Sequence, residues 1–142
     1  MRPDLLRMVA EQGLSDAVSF LGQLRHDELL RLYDEGKVDC VVLPTLHEGI
    51  PVSLIEAMGY GIPVVSTTVG GIPELLRSDA GLTVPPKDSA ALAEALDRLT
   101  KDPVLQMRLA EMGRKRVIEE FAVERVVSEL AVHFAATRDK AQ

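Results

Sequence analysis

Two carboxylates, with a run of backbone amides between them, are the groups of this chain best placed to do chemistry. Glu48 lies in the stretch Pro44-Thr45-Leu46-His47-Glu48-Gly49-Ile50-Pro51, and Glu56 follows eight residues later. Pro51 falls where a helix would begin, at the position that needs no backbone N–H. The amides of Val52, Ser53 and Leu54 would then be unpaired donors at a positive helix end, a ready site for phosphate or another anion. A carboxylate beside such a site repels the anion unless the ligand also offers hydroxyl groups. An ionised carboxylate is an acceptor-only group and can take two O–H donors from a sugar. Two carboxylates flanking an anion cradle therefore suit a ligand with sugar, diphosphate and sugar in line, a nucleotide-sugar. From spacing alone a second reading stays open, in which Glu48 caps a helix and Glu56 is a solvated helix residue.

The elements that must hold these groups are legible on either side. The apolar run Val41-Val42-Leu43 predicts a strand covered on both faces, ended by Pro44. Val52 to Gly59 predicts the helix that carries Glu56. Upstream, Pro3 to Gln12 reads as a helix with Leu5, Leu6 and Val9 on one face and Gly13 as its stop. Val18 to Gly22 reads as a short strand, and His26 to Tyr33 as a helix ended by Gly36. Downstream, Ile62 to Ser66 predicts a strand, Ile72 to Arg77 a short helix, and Ala80 to Val84 a last strand closed by Pro85-Pro86. Strands alternating with helices mean βαβ units and a parallel sheet. In such sheets ligands bind at the carboxyl ends of the strands, where Glu48 falls. The remainder is helical: Ser89 to Leu99, Val104 to Met112, Arg114 to Phe121, and Val123 to Thr137 with Val126, Val127, Leu130 and Phe134 on one stripe.

The segment Glu48-Gly49-Ile50-Pro51, followed by Glu56-Ala57-Met58 and by Gly61-Ile62-Pro63-Val64-Val65, resembles the E-x7-E region of the retaining GT-B glycosyltransferases of the "group 1" family. Gly70-Gly71-Ile72-Pro73-Glu74 is similar to that family's GG-x-P-E segment. The resemblance runs from about Val18 to Phe121. It implies a Rossmann-like three-layer α/β/α domain with a parallel sheet, the C-terminal half of a GT-B fold, with helices added at its C-terminal end over about 88–137. It implies roles as well. Glu48 contacts hydroxyls of the donor sugar and is the candidate catalytic residue. Glu56 holds the ribose hydroxyls. Amides near Gly49, Ile50, Val52 and Ser53 serve the sugar and the diphosphate. Gly22, Gln23 and Arg25 stand where the family contacts the nucleotide base, with a plain turn as the other reading. Gly70 and Gly71 either present amides to the ligand or make a tight turn, and both can hold. Many members have Gly where this chain has Pro51, which removes one sugar-contacting amide.

Composition narrows the classes. The 142 residues suffice for one domain and a single core, and 46% hydrophobic residues argue for a folded chain. Sixteen basic against 22 acidic residues make the net charge −6, with no Lys/Arg-rich groove, so nucleic acid is not an expected partner. An acidic protein must hold a diphosphate with local amides and a few cations. The basic run Arg114-Lys115-Arg116 reads as a solvated face or a helix end. Cys40 reads as a small buried residue in a reducing compartment. His47 reads as a loop residue near the pocket, and Glu74 as structural at its helix start. No apolar run spans a membrane, and Met1-Arg2-Pro3 does not open a signal peptide, so a cytoplasmic location is expected. No cofactor or metal site is expected, since no His/Cys/Asp cluster has ligand spacing and no G-x-S-x-G or P-loop occurs.

Measured against the family, the acceptor domain and the first two strand–helix units of the donor domain have no counterpart in this chain. It therefore reads as a single partial domain over 1–142, the C-terminal piece of a longer enzyme. That enzyme would transfer a sugar from a nucleotide-diphospho-sugar, with retention, to a glycan, lipid or small-molecule acceptor held by the missing domain. Peripheral membrane contact of the full enzyme is compatible with this. The isolated piece is expected to be inactive and to bind donor weakly. Either Val18–Leu21 and Val41–Leu43 pair directly, or an apolar sheet edge stays open and invites self-association. The alternatives are a catalytically inactive Rossmann-like interaction module and, less in keeping with GGIPE and EAM, an epimerase or phosphorylase.

Overall fold

The computed structural model describes residues 3–122. Three parallel strands, β1 (Val41–Leu43), β2 (Val64–Thr67) and β3 (Leu82–Val84), lie in the order β1-β2-β3. Val41 pairs with Val64, and Val65 with Leu82. The helices are α1 (Pro3–Glu11), α2 (His26–Asp34), α3 (Val52–Gly59), α4 (Ile72–Leu75), α5 (Ser89–Lys101) and α6 (Pro103–Arg116), which runs into a π-helical turn at Val117–Phe121. Among the described residues no helix is long and apolar enough to cross a membrane.

β2 is the centre, because every one of its residues is buried. Successive strand residues face opposite sides of a sheet, and Val64 and Val65 divide the core in this way. Val64 packs in a cluster with Leu54, Ala57 and Met58 of α3 and Ile72 and Leu75 of α4. Val65 packs with Leu99 of α5 and Leu105 and Leu109 of α6. Helices on both faces of a parallel sheet give the expected Rossmann-like α/β/α layering. Aspartates start the last two helices. The Asp88 carboxylate accepts from the Ala91 amide and that of Asp102 from the Leu105 amide, each at 2.9 Å, and Pro103 sits at the first helical position.

Several expectations need correction. Val18–Gly22 is not a strand: it has no ladder partner, and Val18 and Leu21 are exposed. A strand is stable only against a neighbour, and none of the described residues supplies one. β1 is consequently an edge strand among the described residues, and it is not covered on both faces, because Val42 is exposed. Of the two outcomes expected for this edge, the open one is found among the described residues. α1 buries none of its residues, so the shared face of Leu5 and Leu6 is unpartnered among the described residues. Gly113 does not break the helix. It lies buried inside α6, where an added Cβ would stand 3.0 Å from the Ala80 carbonyl oxygen and 3.4 Å from Met58. Its lack of a side chain lets α6 approach α3 closely. Of the two readings of Arg114-Lys115-Arg116, the helix end holds, since the run closes α6, but Arg116 itself is buried rather than on a solvated face. The helix expected over Val123–Thr137 lies outside the described residues.

Arg116 is 7% exposed and ties α6 to the end of α4. Its Nε–H donates to the Leu75 carbonyl (2.7 Å), Nη2 to the Glu74 carbonyl (2.8 Å) and Nη1 to Glu120 (2.7 Å). Both carbonyls lie at the C-terminal end of the four-residue α4, where Glu74 also accepts the Arg77 amide at 3.4 Å. Glu120 also holds Arg77 at 2.8 Å, and the Arg116 guanidinium lies over the Phe121 ring at 5.7 Å.

Candidate functional site

Two loops leave the carboxyl ends of neighbouring strands, and the candidate residues from Glu48 to Glu56 and Gly70-Gly71 lie on or just after them, while Gly22, Gln23 and Arg25 precede α2. The loop after β1 carries Glu48 and enters α3; the loop after β2 carries Gly70 and Gly71 and enters α4. Buried hydroxyls of β2 anchor the first loop. Ser66 Oγ donates to the Leu43 carbonyl at 2.7 Å, and Thr67 Oγ1 to the Thr45 carbonyl at 2.6 Å. Thr45 Oγ1 in turn donates to the His47 carbonyl at 3.1 Å.

The second loop supports the first from beneath. Gly70 has φ +53°, and a Cβ there would stand 1.7 Å from the Glu48 carbonyl oxygen. A Cβ on Gly71 would meet the Ile50 side chain at 2.7 Å and the Gly49 carbonyl at 2.9 Å. The Gly71 amide donates to that Gly49 carbonyl at 3.0 Å, so this amide serves the loop and is not free for a ligand. Gly70→Ala must therefore push the Glu48 loop outward and strain its own backbone. The expected cost is about 2 kcal/mol of stability and roughly tenfold weaker binding of any ligand read by Glu48. A denaturation curve and a ligand titration of the variant check both.

The start of α3 is close to the expected form. Pro51 caps the helix rather than occupying its first turn, and Val52 is the first helical residue. The Leu54 amide donates to the Pro51 carbonyl at 3.1 Å, so it is not an open donor. A first turn that tightens in this way consumes one of the amides a helix end otherwise leaves free. Val52 and Ser53, at the first two helical positions, have no intrahelical acceptor and are exposed. His47, Glu48, Gly49 and Ile50 are exposed as well, so the whole loop faces open solvent at the strand ends. A groove of about 320 Å³ opens beside it, walled by Pro44 and Leu46, Thr67 and Val84, at the ends of all three strands.

Glu56 lies a turn further in, about 6 Å along the helix axis from Val52 at the usual rise. Its side chain is 27% exposed, and Oε1 stands 2.7 Å from Nε2 of His26. The sequence marks His26 only as a helix start. No local signal ties it to Glu56, because the two residues are 30 positions apart and meet only through the packing of α2 on α3. Tyr33, whose ring centroid lies 5.6 Å from that of Tyr60, closes the underside. Burial, and then the Glu56 charge, push the Tyr33 hydroxyl pKa above its ordinary value. Glu56, Tyr33, Tyr60 and Arg114 wall a groove of about 610 Å³. A larger one, about 720 Å³, lies between Tyr60 and α6, past the opposite end of α3 from the Glu48 loop.

Gly22 to Arg25 reach this neighbourhood through His26. Gly22 turns with φ +71°. The Arg25 guanidinium is engaged by Asp27 and Glu28, each at 3.2 Å, and its amide donates to Glu28 at 2.9 Å. The first turn of α2 thus holds Arg25, while Gln23 is exposed. Cys40 is half-buried, and burial, with Asp39 adding to it, pushes its thiol up to about 11, so it is no nucleophile at neutral pH.

The chain matches the family described as "Glycosyl transferases group 1" over residues 3–116. It is 34% identical over 125 residues to the MMP alpha-(1->4)-mannosyltransferase of Mycolicibacterium hassiacum, covering 87% of this chain and 30% of that protein. Against the N-acetyl-alpha-D-glucosaminyl L-malate synthase of Bacillus anthracis it is 31% identical, covering 95% of this chain and 35% of the relative. The fold superimposes on sucrose-phosphate synthase from Thermosynechococcus elongatus with a TM-score of 0.84 at 32% identity, over 96% of this chain and 34% of that one. Anabaena HepE, solved in complex with UDP, gives a TM-score of 0.84 at 25% identity over 94% of this chain and 36% of its own. The chain spans about a third of the length of these relatives. With its parallel sheet, its Glu48 and Glu56 segments and a match over most of its length, the chain belongs to the group 1 glycosyl transferases.

Proposed function

We propose that this chain forms part of the donor site of a glycosyltransferase that moves a sugar from a nucleotide-diphospho-sugar to an acceptor, with retained anomeric configuration. The observation that carries the reading is the placing of Glu48 in a loop at the carboxyl end of β1, propped by Gly70 and Gly71, with the free Val52 and Ser53 amides leading to Glu56. Glu48 takes hydroxyls of the transferred sugar, and Glu56 those of the ribose. The exposed amides receive diphosphate oxygens, whose charge grows as the bond to the anomeric carbon breaks. UDP, UDP with glucose, and UDP-glucose are the ligands named for the HepE structures, which supports this ligand class. In this proposal the acceptor is held by a domain outside this chain, so the chain alone binds donor without transferring it. The β1 edge and the α1 face, both left open by the described residues, favour a second reading, a ligand-independent module that associates through its sheet edge.

Calorimetric titration of the chain with UDP, GDP and their sugar conjugates separates the two. The donor-site reading expects saturable binding. It further expects Glu48→Ala to weaken a sugar conjugate about tenfold while leaving the bare nucleotide unchanged, because one charge-assisted hydrogen bond to the sugar is lost. Absence of binding by every nucleotide, together with a cooperative melt and concentration-dependent association, would leave the module.

A further inference from the structure

We propose that His26 is a positioning residue of the nucleotide half of this site, holding the Glu56 carboxylate in the orientation that receives a ribose 2′,3′-diol. The inference rests on the donor-site reading above and adds to it a residue that lies outside the E-x7-E segment. The carboxylate is an acceptor-only group, so the imidazole nitrogen at 2.7 Å from Oε1 must carry the hydrogen and donate it. One bond to Oε1 leaves Oε2 and the second lone pair of Oε1 open, enough for two hydroxyls on adjacent carbons.

The contact has the marks of positioning rather than of packing. The His26 side chain is 64% exposed, so its bond to Glu56 contributes little to the core. At the first position of α2 an imidazole is not needed for the helix, since Asp27 and Glu28 already supply the acidic first turn. The neighbouring cation, Arg25, is engaged by Asp27 and Glu28 instead of Glu56. Glutamate is among the side chains that lose most rotamer freedom on ordering, and a carboxylate ordered beforehand spares the ligand that loss. His26 also joins the segment Gly22–Arg25, at the start of α2, to Glu56.

The test uses the full chain and calorimetric titration with UDP and GDP and with their 2′,3′-dideoxy counterparts. His26→Ala is expected to weaken the ribonucleoside diphosphate that binds by about three- to tenfold, the effect of one side chain left unordered. It should leave the dideoxy compound unchanged. His26→Gln, whose amide N–H reaches close to the position of Nε2, should restore most of the loss. Melting temperatures of both variants should stay within about 2 °C of the parent, as for exposed substitutions. Equal losses for ribo and dideoxy ligands, no loss for either, or no recovery with His26→Gln would each overturn the role of His26 while leaving the donor site standing. Failure of the parent chain to bind any of the nucleotides would instead remove both readings together.

Discussion

Glu56→Ala is expected to weaken nucleotide and nucleotide-sugar binding alike by about a hundredfold. In the proposed donor site the Glu56 carboxylate is the charged acceptor for the ribose hydroxyls, and a hydrogen bond to a charged group contributes roughly 1.5–3 kcal/mol. Losing the stronger part of two such bonds corresponds to about two decades in affinity. Because the nucleotide is common to every donor, the loss should be the same for UDP and UDP-glucose, unlike that of Glu48→Ala, which is confined to the sugar. Glu56→Gln keeps the shape but turns one acceptor into a donor, and about a tenfold loss is expected from it. The fold should survive, since Glu56 is partly exposed and its bonded partner is the exposed His26. A spectroscopic titration of Tyr33 reports on the same change. The part of its raised pKa that comes from Glu56 should vanish in Glu56→Ala, and the larger part, from burial, should stay. Undiminished binding with an altered Tyr33 titration would place the nucleotide elsewhere on the domain.

The largest effect on stability should come from Arg116→Ala, about 3 kcal/mol. The variant leaves the buried Leu75 carbonyl unpaired and the Glu74 carbonyl with only the long Arg77 amide contact at 3.4 Å; an unsatisfied buried group costs about 1–3 kcal/mol, and the packing of the buried Arg116 stem is lost as well. Glu120 loses one partner but keeps Arg77 and is a third exposed, which limits its share. For a domain of this size, 3 kcal/mol lowers the melting midpoint by roughly 10 °C. Arg116→Lys should recover less than half, because a single ammonium cannot reach two carbonyls and a carboxylate with the geometry of a planar fork. The change also reaches the site. α4 begins directly after Gly70 and Gly71, so loosening its far end should let the Glu48 loop move and weaken sugar-conjugate binding more than nucleotide binding. Equal midpoints for Arg116→Ala and the parent chain would show that water replaces the guanidinium without penalty.

How far the amino-acid order specifies the molecule differs from element to element. It suffices for α2, α3, α5 and the approximate places of the three strands. Their signals are local: apolar periodicity, prolines at starts, glycines at stops. It also suffices for the pairing of an exposed Glu48 loop with a helix bearing Glu56, because the spacing of the two lies within one loop–helix unit. Other features depend on how the elements come together. Val18–Gly22 has strand-like composition, but a strand exists only with a neighbour, and none of the described residues supplies one. Gly113 looks like a helix stop, yet the approach of Ala80 and Met58 to α6 makes a residue without a side chain the fitting one inside the helix. Arg116 sits in a basic run that reads as a solvated face or a helix end; it ends α6, and only the fold brings the end of α4 against it and buries it. Gly70 and Gly71 have the composition of turn makers or amide donors, and their contacts with Glu48, Gly49 and Ile50 make them the support of the loop. His26 is bonded to Glu56 across 30 residues. Sequence periodicity reports which way a residue faces along its own element. Which distant residue it meets is fixed by packing, and each of these features arises there.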